Sequence, residues 1–114
     1  PMLLLGDLNT RGMVELRNDP ASQYSVMMKN FGDARADGGI ADTWVMLMGE
    51  KLGGTTEQES AEVGKRIDYI LVGNPKPPAL QLKPATIQVN TYQDPQVTAL
   101  SDHNAVAGEF KWPN

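Results

Sequence analysis

Apolar and polar positions come in blocks along this chain, and each block predicts an element. Met2-Leu3-Leu4-Leu5 is an unbroken apolar run that stops at Gly6, the pattern of a buried strand. Asp19-Pro20 has the form of a helix N-cap followed by a proline at the first helical position. Tyr24, Met27, Met28 and Phe31 follow at helical spacing and Gly32 closes the stretch, so a helix is predicted near 20–31. Residues 34–39 are polar and glycine-rich and read as a loop. Residues 42–52 hold Trp44, Val45, Leu47 and Met48 and predict a second short helix, after which 53–65 form a long polar loop.

The strongest strand signal is RIDYILV at 66–72. Ile67, Tyr69 and Leu71 share one face, Ile70 and Val72 the other. Both faces are apolar, so this strand calls for cover on both sides. Pro75, Pro77 and Pro78 end it. Residues 84–92 predict another strand with Ile87 and Val89 on one side, and 106–112 a last one that alternates Val106, Gly108, Phe110 and Trp112. Strand and helix thus alternate early and strands dominate late, which makes the fold class α/β.

A length of 114 residues suits one domain, 1–114, with a modest core. The hydrophobic share of 40% marks a folding chain and excludes a disordered tail. The net charge is -4 and no Lys/Arg stripe exists, which argues against a dedicated nucleic-acid binder. An enzyme that touches nucleic acid through a few residues is still allowed. With no cysteine, disulfides, zinc–thiolate sites and thiol nucleophiles are excluded. No apolar run is long enough to cross a membrane and no secretory leader is visible, so location stays open. The chain opens at Pro1, directly in a strand-like run, and looks like a cut or processed segment.

Three polar clusters fall at predicted strand ends: Asp7 and Asn9 after the first strand, Asp68 in RID, and Ser101-Asp102-His103-Asn104 before the last. Singly each has an ordinary reading. GDLN at 6–9 fits an Asx turn, SDH a loop cap, and Asp68 a salt bridge to Arg66. Taken together they suit chemistry. An aspartate accepting from one ring nitrogen fixes a histidine's tautomer and orientation. A second Asp and an Asn can orient a water and hold a phosphoryl oxygen. Three carboxylates around one His suit metal-assisted hydrolysis of a phosphate ester. Acyl transfer fits poorly, because no Ser stands in a nucleophile-elbow context.

LLLGDLN, ADTW, RIDYILV and LSDHNAV, in this order and spacing, resemble the C-terminal half of the endonuclease/exonuclease/phosphatase (DNase I-like) superfamily. The resemblance covers the whole chain. The usual pattern is GDFN, RIDY and SDHxPV; here Leu8 replaces the aromatic and Ala105 the proline. The resemblance implies half of a four-layer α/β sandwich, with one mixed sheet and flanking helices. It implies that Asp7 orients or deprotonates the attacking water, and that Asn9 and His103 contact the phosphate. Asp68 would orient His103, and Asp102 would hold Mg2+ or its waters, with Mn2+ an alternative. Asp42 and Trp44 match a structural position, Trp44 being core.

Family members are about twice as long, and their other half supplies a metal-binding Glu. Glu15, Glu50, Glu57, Glu59, Glu62 and Glu109 stand in other contexts. The implied activity is hydrolysis of a phosphate ester as part of a longer parent, with this chain weak or inactive alone. The substrate class is left undecided between nucleic acid, phospholipid and inositol phosphate. A partner is expected: the missing half, or a second copy of this chain to cover an apolar sheet face. Met27, Met28 and Phe31 on a folded-back helix are the competing cover. The alternative function is a non-catalytic remnant or self-associating assembly module.

Overall fold

RIDYILV does become the central strand. The computed structural model describes residues 1–36, 38–56, 64–92, 94–97 and 100–113. Strand β3 (Asp68–Gly73) pairs antiparallel with β1 (Met2–Asp7) on one side and with the short β2 (Ala41–Asp42) on the other. A second antiparallel sheet is the hairpin of β4 (Lys83–Asn90) and β5 (Ala105–Lys111). Helices α1 (Val14–Arg17), α2 (Gln23–Asp33) and α3 (Thr43–Met48) complete a mixed α/β fold. The expected single mixed sheet is corrected: every strand pairing among the described residues is antiparallel, and the strands divide into two sheets. No helix among the described residues is long and apolar enough to cross a membrane.

Both faces of β3 are covered, as its composition demands. Tyr69, Ile70, Leu71 and Val72 are all buried. On the Tyr69–Leu71 face lies α2. Tyr24, Met27, Met28 and Phe31, the side chains spaced for one helical face, pack there with Leu4, Leu8 and Ile40. On the other face β5 crosses at Gly108, where a Cβ would sit 3.2 Å from the Ile70 methyl. Burying Leu71 completely is worth about 1.5–3 kcal/mol.

The boundaries differ from the sequence reading: β3 begins at Asp68 and not at Arg66, β4 and β5 shift by one or two residues, and α1 and β2 were not expected. The α2 N-cap is Ser22, whose oxygen accepts from the Ser25 N–H, while Asp19 instead accepts from the Ala21 N–H in a turn. Hydroxyl geometry outweighs the Asp-Pro signal here. Gly32 lies inside α2, which runs on to Asp33. The second helix is shorter than 42–52: Asp42 caps it through the Trp44 N–H, and Gly49, at φ 60°, ends it. The first strand is not buried as expected. Leu4 faces the core, but Leu3 and Leu5 lie on the Ile70–Val72 face, where the β4–β5 hairpin covers β3 and leaves them 38% and 62% exposed.

Candidate functional site

The site is assembled where β1 ends, β3 begins and the segment before β5 returns. Cross-strand pairing sets Asp7 directly opposite Asp68. Like charges facing each other across antiparallel strands repel. His103 is brought between them. Its Nδ1 lies 2.8 Å from Asp68 Oδ2, and its Nε2 lies 3.9 Å from Asp7 Oδ2 and 4.0 Å from Asp102 Oδ1. One imidazole therefore meets three carboxylates. The hydrogen bond to Asp68 raises the His103 pKa above its ordinary value; partial burial opposes this, and the charges of Asp68, Asp102 and Asp7 add to it. The side chains grade from shielded to open: Asp68 is 19% exposed, His103 30%, Asp7 48% and Asp102 88%.

Local structure fixes each of these residues. Asp7 Oδ1 accepts the Asn9 N–H at 2.8 Å in an Asx turn, which leaves Oδ2 for the histidine side. Asn9 itself takes φ 48°, a left-handed conformation that asparagine tolerates better than most residues. Ser101 Oγ accepts the His103 N–H at 3.0 Å. The ordinary readings of GDLN as a turn and SDH as a loop cap are thus also true of the backbone; the turns serve to aim the side chains. Asn9 and His103 line one cavity of about 300 Å³, together with Arg11, Thr56, Lys65, Ile67 and Asp102.

All five residues singled out from the sequence, Asp7, Asn9, Asp68, Asp102 and His103, fall at this one place. Arg66 does not pair with Asp68. It turns inward and forms a two-pronged bond to Asp42, at 2.7 and 3.1 Å, with its guanidinium 4.8 Å from the Tyr69 ring centroid. Tyr24 donates to Asp42 as well, at 2.9 Å. Glu15, Glu50 and Glu109 lie away from the cluster, on α1, after α3 and on β5. Glu57, Glu59 and Glu62 lie outside the described residues.

Sequence reasoning grouped Asn104 with His103 but overlooked its bracing role and the threonines that hold the site together. Thr55 Oγ1 accepts from the N–H groups of both Ile67 and Asp68, at 3.0 and 3.1 Å. Buried Asn104 donates its N–H to the Thr55 carbonyl and its amide to Gly54, while accepting from Thr91. Thr56 and His103 pair in an isolated antiparallel bridge outside the strands. The only signal was the TT after two glycines, inside a segment taken for a solvated loop.

Asp7, Asp68 and His103 offer one donor atom each within 4.8 Å of one another. With His103 Nδ1 engaged by Asp68 Oδ2, the carboxylate oxygens left near the ring are those of Asp7, the second oxygen of Asp68 and, at 4.0 Å from Nε2, Asp102. That is a partial carboxylate set of the kind Mg2+ accepts when water and phosphate fill the remaining positions. No protein-family model, curated protein or solved structure matches this chain.

Proposed function

We propose that this cluster hydrolyses a phosphate ester, in the manner of the endonuclease/exonuclease/phosphatase superfamily that the sequence resembles, with the DNase I-like half-sandwich as its scaffold. The single observation that carries the reading is the short Asp68–His103 bond with Asp7 on the far edge of the same ring.

Each residue then has a definite task. Asp68 accepts the proton on His103 Nδ1 and holds the ring, so Nε2 faces outward. With its pKa raised, His103 presents a positive edge to a phosphate oxygen and stabilises the charge that builds there in the transition state. Asp7 Oδ2 accepts a proton from the attacking water. Water oxygen bonds to phosphorus as the ester oxygen departs on the opposite side. Asn9 donates its side-chain amide, which has no partner among the described residues, to a second phosphate oxygen. Asp102 would hold Mg2+ or Mn2+ or its waters, and the ion would supply Lewis-acid polarisation of the phosphate. Among the described residues no glutamate joins this cluster, and turnover by this chain alone is expected to be slow.

The test is hydrolysis of bis(p-nitrophenyl) phosphate with and without Mg2+, in parallel with Mn2+ titration followed by NMR line broadening. The expected result is weak, metal-dependent turnover that His103→Ala abolishes, with broadening first at Asp7, Asn9, Asp102 and His103. Turnover indifferent to His103, or broadening centred elsewhere, would overturn the reading. A second reading, self-association with no chemistry, draws on the open apolar flank of Leu3 and Leu5. Light scattering at micromolar concentration tests it: a clean monomer removes it.

A further inference from the structure

We propose that Arg11 and Lys65 form a two-cation clamp for a second phosphoryl group, so that the ligand this cavity takes carries two adjacent phosphates. The statement about substrate rests on the hydrolase reading above; the clamp itself rests on how the two cations are mounted.

Both line the same cavity as His103, Asn9 and Asp102. Neither makes a side-chain ion pair or hydrogen bond among the described residues. Their backbones, in contrast, are pinned. The Lys65 carbonyl accepts the N–H groups of Thr55 and Thr56, at 2.9 and 3.0 Å, and its own N–H donates to Thr56 Oγ1 at 3.0 Å. Thr56 in turn bridges His103. Gly64 allows this approach, since a Cβ there would strike the Thr56 carbonyl. Arg11 sits between two fixed neighbours. The Gly12 N–H donates to the Arg66 carbonyl at 2.9 Å and the Gly12 carbonyl accepts from buried Arg66 Nη2 at 2.9 Å, while the Tyr69 hydroxyl donates to the Thr10 carbonyl.

A side chain carried on a fixed backbone meets its ligand without the cost of ordering the segment that bears it, which strengthens the contact. Two such side chains line one cavity of about 300 Å³ in a chain of net charge -4. Asp102 shares the lining, and both it and Asp7 lie about 4 Å from His103 Nε2. A lone phosphate held at His103 leaves both cations unsatisfied. A second phosphate beside it satisfies them, and the planar fork of Arg11 suits two of its oxygens.

The experiment is calorimetric titration of the full chain, in EDTA, with inorganic pyrophosphate and with orthophosphate. Pyrophosphate should bind at least tenfold more tightly. Arg11→Ala and Lys65→Met should each weaken pyrophosphate about tenfold and orthophosphate little, and Lys65→Arg should restore most of the loss. Equal affinity for the two anions, or pyrophosphate binding indifferent to Arg11 and Lys65, would overturn the clamp. The hydrolase reading separates cleanly. Clamp-dependent pyrophosphate binding with no esterase activity keeps the clamp and removes the enzyme; His103-dependent hydrolysis with binding indifferent to both cations does the reverse.

Discussion

Arg66, just before β3, and Asp68, its first residue, stand two residues apart and enter opposite kinds of ion pair. Arg66 turns into the core and meets Asp42 with almost no water in reach; both side chains are 2% exposed. Asp68 turns to the open side and meets His103 at nearly the same distance, 2.8 against 2.7 Å. The inner pair is closed by Tyr24, Tyr69 and the Gly12 carbonyl. The outer pair keeps Nε2, Asp7 Oδ2 and Asp102 available. The difference teaches that distance does not tell a closed scaffold pair from an open one. What tells them apart is whether any hydrogen-bonding capacity is left over, and whether solvent or ligand can reach it.

The largest break in that comparison is expected from His103→Ala. Phosphodiester turnover should fall about 10²–10⁴-fold, with a thermal unfolding curve close to the parent's, because the ring is partly exposed. A large loss of stability would move His103 into the scaffold class.

Arg66→Ala should do the opposite. It strips the guanidinium from buried Asp42 and should lower unfolding free energy by about 3–5 kcal/mol, measured by urea denaturation. A change below 1 kcal/mol would show that the inner pair is replaceable. Trp44→Ala belongs with it, at about 3–5 kcal/mol, since the ring is buried and its Nε1 donates to the Lys51 carbonyl at 2.8 Å.

A smaller effect sharpens the outer pair. Asp68→Asn removes the leading cause of the raised His103 pKa, so the ring's NMR titration midpoint should drop toward the ordinary value of about 6.5. The smallest effect is on stability against pH without divalent metal. The native state binds the His103 proton more tightly than the unfolded chain does. The stabilisation is therefore complete below the unfolded value of about 6.5 and is lost as pH rises through the higher native value. A melting temperature that falls over that window in the parent, and less in Asp68→Asn, is the expected result.

Much of this was legible because strand-end position and residue chemistry travel together in the sequence. RIDYILV announced a strand covered on both faces, and Tyr24, Met27, Met28 and Phe31 announced the helix that covers one of them. Asp7, Asp68 and His103 could be grouped because each follows or precedes an apolar run. What stayed hidden depends on long-range pairing. Nothing local shows that Arg66 will reach back to Asp42 and Gly12 instead of forward to Asp68. Nothing local shows that Thr55 will receive two backbone donors from β3. The division into two sheets was hidden for the same reason, since hairpin β4–β5 crosses β3 without joining its ladder. The exposure of Leu3 and Leu5 depends on where that hairpin stops.

The lock between Arg66 and Gly12 has a consequence for how the protein fails. Because Arg66 Nη2 serves both Asp42 and the Gly12 carbonyl, and the Arg66 carbonyl takes the Gly12 N–H, the segment that carries Asn9 and Arg11 is tied to the deepest part of the molecule. A Cβ at Gly12 would collide with that guanidinium, so the fit admits no larger residue. Loss of the Arg66–Asp42 pair therefore also removes an anchor of this segment. Exchange at the Gly12 amide is therefore expected to follow global unfolding rather than local fraying.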